Sequence, residues 1–307
     1  MQLLAAKSRT ARDMLAISPS TNFILNVLMV ICVILTLAPF YIIIITSLTS
    51  EASLIKNGYQ LWPEEFSINA YTYLFREGSI VITAYRNTII STVAGTVLTL
   101  ILVTLYAYPL SRPNFRFATF FTFFAFFTML FGGGLVAYYM VMRQILQIQN
   151  TIWALFVPSA FSPFWVFVLR TYIKTNIPDE LIEAARIDGA NEWRILFQIV
   201  LPLSVPGLAT VALFSAIGIW NNFFNVLLLI DKVELYNLQY MIYSTLNNIR
   251  FLLDNASRMQ GVVNLSELPS QTFRMAMAVV TIGPIVLAYP FFQRYFVRGL
   301  TIGAIKG

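Results

Sequence analysis

The chain has 307 residues, of which 58% are hydrophobic and only 11% are charged, and its mean hydropathy is +0.73. Soluble domains carry about 25% charged residues, so this composition excludes an ordinary soluble protein and indicates an integral membrane protein. The net charge of +6 comes from few, dispersed Lys and Arg residues, a pattern that favours cytoplasmic loop anchors over a nucleic-acid-binding surface.

Six long apolar runs predict an all-α, polytopic membrane protein with six transmembrane helices. A basic tail at 1–22 precedes the first run and places the amino terminus in the cytoplasm. The first run is longer than a signal-peptide core of about 7–15 residues, so we expect a retained span. The predicted spans are 23–46, 87–110, 117–142, 151–172, 199–230 and 271–292.

An even number of spans puts both termini in the cytoplasm and leaves external loops at 47–86 and 231–270. The third span contains three glycines, 132–134, which break a helix or let a neighbouring helix approach; direct ligand contact is the alternative. The fourth span is interrupted by Pro158 and Pro163. The fifth exceeds the roughly 20 residues that a bilayer requires, so we expect it to tilt or protrude.

A charged cytoplasmic segment, 178–198, separates the fourth and fifth spans. We predict that it begins as a short helix capped by Asn176, with Pro178 and Asp179 in the first turn. Gly189 then ends this helix in the left-handed conformation. An ordinary cytoplasmic turn with ordinary caps is the alternative interpretation.

Small residues give this helix a narrow face that suits a groove, and a second short helix at 190–199 follows. Trp193 and Phe197 on the second helix are predicted to pack back against the membrane bundle. The residues of the narrow face are Leu181, Ala184, Ala185 and Asp188.

The chain lacks the groups that would supply energy or catalysis. The six spans contain no Asp or Glu, which disfavours proton coupling, and the chain has no G-x-x-x-x-G-K-[ST] phosphate loop. It has no histidine and one cysteine, Cys32, so we predict no catalytic residues and no metal site. Energy therefore comes from a partner, or the protein is a passive pore.

The fifth span carries polar groups within its apolar run. Amides in hydrocarbon need hydrogen-bond partners, which are either neighbouring helices or a polar solute, and the pattern leaves both alternatives open. An uncharged amide and aromatic lining suits a neutral polyol such as a sugar. The candidate pathway residues are Trp220, Asn221, Asn222 and Asn225.

The charged segment resembles a known motif. Glu183-Ala-Ala, Asp188-Gly-Ala and the later Leu201-Pro202 are similar to the EAA motif of ABC-importer membrane subunits. The resemblance implies a coupling helix that docks in a cleft on a separate ATPase subunit. The residues that it assigns to this contact are Glu183, Ala184, Ala185, Asp188, Gly189 and Ala190.

Two further stretches resemble maltose-type sugar permeases. Trp220-Asn-Asn-Phe223 is similar to their Trp-Asn-acid-Phe motif, with Asn222 where many relatives carry Asp or Glu, and 130–135 resembles the branch that imports complex oligosaccharides. The end of the chain, 293–307, is similar to their carboxyl terminus, which implies that the tail at 299–307 approaches the ATPase. The tail residues concerned are Gly299, Leu300, Thr301, Gly303, Lys306 and Gly307.

The resemblance implies a non-catalytic permease subunit in a bacterial cell membrane, with residues 23–298 as its transmembrane domain. Its implied partners are a homologous second permease, two ATPase subunits that bind ATP and Mg, an extracytoplasmic solute-binding protein, a sugar and membrane lipid. No cofactor is expected on this chain, and no nucleic acid. The alternatives are an energy-independent channel, a secondary transporter for a neutral polar solute, or a membrane enzyme; co-purification with an ATP-binding subunit separates these from an importer.

Overall fold

The computed structural model describes residues 18–76, 78–255, 271–284 and 286. Helices dominate these residues, and the one β interaction among them is an isolated bridge between Thr49 and Phe66. The prediction of an all-α protein is confirmed for this part of the chain. Two compact units are present, Met1–Tyr71 with Pro269–Val279 and Thr72–Leu268 with Val280–Gly307.

The first unit contains α1, Pro19–Ser47, and α2, Glu51–Asn57. Ser18 caps α1, since its hydroxyl accepts a hydrogen bond from the Thr21 backbone N–H at 3.2 Å, and Pro19 occupies the first helical position. Apolar side chains lie on all sides of α1 and are mostly exposed, as expected of a helix in contact with lipid or with another chain.

The other helices follow in chain order, and two of them, α6 and α9, include a π-helical turn. Short 3-10 turns precede α7 and α12. These helices are α3 (Asn69–Arg76), α4 (Gly78–Ser111), α5 (Ala118–Leu130), α6 (Gly134–Ile145), α7 (Pro163–Asn176), α8 (Asp179–Ile187), α9 (Glu192–Leu203), α10 (Val205–Trp220), α11 (Phe224–Leu229), α12 (Leu238–Asp254) and α13 (271–284).

Two helices of the described residues, α1 and α4, are long and apolar enough to cross a membrane without a break. Up to five spans result if each of three bent helix pairs counts as one. α5 and α6 meet at 116°, the 3-10 segment Ile152–Ser159 and α7 at 53°, and α9 and α10 at 77°. Of the predicted sixth span, 271–292, the structure describes 271–284 and 286.

The breaks have local causes. Gly134 has a φ of +78°, and a Cβ added at Gly132 or Gly134 would meet no other atom within 4 Å. The positive φ of Gly134 thus makes the glycine run a break between α5 and α6. The predicted fifth span, 199–230, is divided into shorter helices: Ser204 separates α9 from α10, and residues 221–223 separate α10 from α11. A helix, α12, also occupies much of the segment predicted as an external loop at 231–270.

A buried cluster in the second unit joins α4, α7, α8, α9 and α10. It fixes the short helices α8 and α9 to the long helices, so they are not a free loop. Fully buried members from four of these helices are Val103, Leu169, Ile195 and Val211.

Gly95 of α4 is a point of close helix packing. An added Cβ would lie 2.7 Å from Ile219 Cδ1 and 2.8 Å from Phe156 Cβ. We therefore expect Gly95→Ala to destabilise the protein by about 1–3 kcal/mol, as overpacked cores do. Gly218→Ala is the matched control, because no other atom lies within 4 Å of its added Cβ. Thermal unfolding in detergent should show a lower Tm for G95A alone; equal Tm values would contradict this packing.

Candidate functional site

The helix α8 begins after Pro178, which adopts an extended conformation and makes no side-chain cap. The predicted cap by Asn176 is wrong. Asn176 is the last residue of α7, and its amide donates to the Tyr172 carbonyl at 2.9 Å. The amide therefore satisfies the end of the preceding helix. Asp179 and Glu180 occupy the first turn of α8, where negative charge is favoured by the helix dipole.

The other end of α8 is a Schellman motif. Gly189 has a φ of +82°, its N–H donates to the Arg186 carbonyl at 3.0 Å, and the Ala190 N–H donates to the Ala185 carbonyl at 2.9 Å. This pair of bonds satisfies carbonyls that a helix end leaves open. The predicted left-handed stop at Gly189 is confirmed, and it gives α8 a defined length and exit direction.

One side of α8 faces the core and the other is exposed. Ile182 is 2% exposed, and Ala185 is half-buried against the same cluster. Ile187, on the side away from the core, is 87% exposed, and Leu181, one turn before Ala185, is 47% exposed. The motif residues of α8 and its stop fall into two groups. Ala185 and Ala190 are half-buried, and the exposed ones are Glu183, Ala184, Asp188 and Gly189.

The packing predicted for α9 is wrong. Asn191 caps α9 by accepting from the Arg194 N–H at 2.8 Å, and the buried residues of α9 are Ile195, Leu196 and Val200. Trp193 and Phe197 are 61% and 59% exposed and stack on each other with ring centroids 6.2 Å apart. A π-turn at Leu196–Val200 adds a residue to the turn and shifts the helix phase, which a regular 3.6-residue pattern does not anticipate.

Glu192 joins three helices. Tyr108 of α4 donates its hydroxyl to Glu192 Oε2 at 2.6 Å, and Arg186 of α8 donates Nη2 to Glu192 Oε1 at 2.7 Å. We call these three residues the Glu192 junction. Burial opposes ionisation of Glu192, but the hydrogen bonds from Tyr108 and Arg186 outweigh it, and the pKa of Glu192 is lowered. Tyr108 and Glu192 are 84 residues apart, and no spacing pattern in the sequence connects them.

Arg112 forms a second link beside the Glu192 junction. Its guanidinium is 6% exposed, lies 5.3 Å from the centroid of the Tyr108 ring and has Nη1 3.7 Å from Asp179 Oδ1. That distance is an ion pair but too long for a hydrogen bond, so Nη1 is buried without a hydrogen-bond partner in the described part of the chain. Arg112 therefore ties the end of α4 to the start of α8 by charge alone.

The amides of the fifth predicted span are divided between two environments. Asn222 and Asn225 both donate their side-chain amides to Ser159 Oγ, at 2.9 and 3.0 Å, and Tyr138 donates its hydroxyl to Asn225 Oδ1 at 2.8 Å. These two amides hold separate segments together. Asn221 is exposed, and its Oδ1 accepts from Gln239 at 3.0 Å.

Trp220 is 7% exposed, and within the described residues its indole N–H is buried without a partner. Of the candidate pathway residues, Asn222 and Asn225 meet on Ser159, Trp220 and Asn225 are buried, Asn222 is half-buried and Asn221 is exposed. The tail residues predicted near an ATPase, at 299–307, lie outside the described residues.

The comparisons with known proteins decide the family. Residues 92–302 match the model of the binding-protein-dependent transport system inner membrane component. This chain belongs to that family. It is therefore an ABC-importer permease, a membrane-embedded, non-catalytic transport subunit whose family works with a separate ATPase that uses ATP.

Individual relatives agree with this. The permease is 34% identical to Protein LplC of Bacillus subtilis over 89% of this chain and 90% of the relative. It is 35% identical to the polygalacturonan/rhamnogalacturonan transport system permease protein YtcP of B. subtilis, over 90% of this chain and 93% of the relative. A chain in the crystal structure of a bacterial ABC transporter involved in the import of the acidic polysaccharide alginate is 30% identical, with a TM-score of 0.78 over 92% of this permease and 99% of that chain.

Proposed function

We propose that this permease is one of two membrane subunits of an ATP-driven importer for an oligosaccharide, with six spans and both termini in the cytoplasm. Its partners in the proposal are a homologous permease, two ATPase subunits and an extracytoplasmic solute-binding protein. The substrate class rests on the relatives, which are named for polygalacturonan and rhamnogalacturonan, for alginate and for arabino-oligosaccharides.

The observation that carries the ATPase contact is the form of α8. A short helix with a defined stop at Gly189 is fixed to the core through Ile182, yet it leaves the large apolar side chains of Leu181 and Ile187 exposed. Large apolar side chains that remain exposed beyond the membrane spans mark a surface for another protein. In the proposal, the ATPase covers this exposed surface of α8, with Glu183 and Ala184 in the contact. The tail at 299–307 approaches the same subunit.

The pathway assignment changes with the geometry. Asn222 and Asn225 are hydrogen-bonded between segments, so we propose that they hold the pathway wall together, while the exposed Asn221 contacts solute. This follows from the cost of leaving a buried amide without a partner, which is about 1–3 kcal/mol.

Co-purification tests the proposal. Tagged permease, expressed with its partner permease and ATPase, should retain both chains in detergent, and the complex in proteoliposomes should concentrate an oligosaccharide only when ATP and the binding protein are present. A permease that purifies alone and equilibrates solute without ATP would support the channel alternative and contradict the proposal.

A further inference from the structure

The Glu192 junction lies where two routes from α8 to the membrane helices diverge. One route is the chain itself, which runs from α8 through α9 to α10. The other is the pair of hydrogen bonds that cross directly to α4, from Arg186 to Glu192 and from Tyr108 to Glu192. Arg186 is in the last turn of α8, Glu192 begins α9, and Tyr108 is in the last turn of α4.

The chain route is bent. α9 contains a π-turn, and it meets α10 at 77° with Ser204 between them. A displacement of α8 that passes along this route must cross two irregular points, where helices bend most readily. The route through the Glu192 junction has no such break, because both of its bonds end on one carboxylate.

The bonds of the Glu192 junction are of the strong kind. Both involve an ionised partner, and the distances of 2.6 Å and 2.7 Å are those of charge-assisted hydrogen bonds. Tyr108 is 6% exposed, whereas the side chains of Arg186 and Glu192 are 37% and 54% exposed, so the tyrosine side of the contact is the side shielded from water. The nearby Arg112–Asp179 ion pair joins the same end of α4 to the start of α8, so α8 is attached to α4 near both of its ends.

A cavity of about 390 Å³ lies next to the Glu192 junction. Tyr108, Arg186, Glu192 and Trp193 all line it, so these side chains are not locked by packing on that side. Hydrogen bonds and charge therefore act on this open side, while the buried cluster that includes Tyr108 and Ile182 packs α4 against α8 on the other.

We propose that Glu192 is a positioning residue that transmits displacement of α8 to α4 through Tyr108, so that the ATPase moves the second predicted span as well as the fifth. This inference rests on the proposed function. Glu192 contacts neither solute nor nucleotide in it; the residue acts through Arg186 on one side and Tyr108 on the other.

The test compares Tyr108→Phe, Glu192→Gln and the double variant in the complete complex, reconstituted in proteoliposomes with the binding protein. The readout is the number of oligosaccharide molecules accumulated per ATP hydrolysed. We expect each single variant to assemble and hydrolyse ATP but to lower this ratio by about 5-fold or more, the size of an ordinary coupling between sites. The double variant should have no lower a ratio than Glu192→Gln alone, because Tyr108 acts on α8 only through Glu192, whose charge that variant has already removed.

Tyr106→Phe is the matched control. Tyr106 lies two residues before Tyr108 on the same helix, and its hydroxyl donates to the Phe121 carbonyl of α5 at 3.0 Å rather than to α8 or α9. Its ratio should stay at the wild-type value. A wild-type ratio in both Tyr108→Phe and Glu192→Gln overturns the inference, and so does loss of assembly in both, which would assign the contact to folding. If the wild-type complex itself shows no ATP-driven uptake, the proposed function fails instead.

Discussion

Gly189→Pro should abolish uptake while leaving the permease in the membrane. Gly189 has a φ of +82°, and its N–H bonds to the Arg186 carbonyl at 3.0 Å. Proline fixes φ near −65° and has no N–H, so the stop of α8 cannot form, at a cost of about 3 kcal/mol or more. If that cost falls on the docking of α8, uptake drops by about 100-fold or more.

A graded series separates backbone conformation from bulk at this position. No atom of the described residues lies within 4 Å of a Cβ added at Gly189, so Gly189→Ala introduces only the strain of a left-handed alanine, about 1–2 kcal/mol. Gly189→Asn should be nearly normal, since asparagine tolerates that conformation. Uptake of radiolabelled oligosaccharide by cells, divided by the amount of permease in the membrane, should fall in the order Asn, Ala, Pro. Wild-type uptake by G189P would remove α8 from the mechanism.

Glu183→Lys should have the second large effect. Glu183 is exposed on α8, and it makes no hydrogen bond or ion pair with the described part of the chain. The substitution therefore leaves the fold intact and acts on the partner that faces it. Reversing a charge paired across a protein interface costs about 2–5 kcal/mol where that pair is buried, so uptake should fall about 30-fold or more.

Glu183→Gln is the control for this position, because it keeps the shape and the hydrogen-bonding oxygen and removes only the charge. Its uptake should lie between those of wild type and Glu183→Lys. Co-purification of the ATPase should weaken in the same order, which distinguishes a docking defect from a folding defect. An E183K permease that retains both the ATPase and full uptake would show that Glu183 is outside the interface.

Much of the architecture is predictable from local rules. The helix α1, which contains the predicted span 23–46, begins at Ser18-Pro19, a cap and a first-turn proline, and the left-handed stop at Gly189 requires only that glycine follow a short helix. These features depend on residues within one or two turns, and sequence patterns report such neighbours directly.

The features that the sequence did not predict share a physical cause: they depend on contacts between residues distant in sequence. Trp193 and Phe197 are exposed because Ile195, Leu196 and Val200 occupy the buried side of α9, in a cluster with helices distant in sequence. Glu192 binds Tyr108 across 84 residues, and no periodicity encodes that pairing. The amides at 222 and 225 illustrate a third case: the sequence leaves hydrogen bonding and solute contact as equal alternatives, and the position of Ser159 favours hydrogen bonding between segments.

Photo-crosslinking from α8 tests the central claim most directly. A photoreactive amino acid at Ile187, which is 87% exposed, should crosslink the permease to the ATPase subunit in membranes that contain the whole complex. The same probe at Trp62, 68% exposed in the predicted external loop, should give no ATPase crosslink. ATPase crosslinking from Trp62 and none from Ile187 would contradict both the proposed docking surface and the proposed orientation in the membrane.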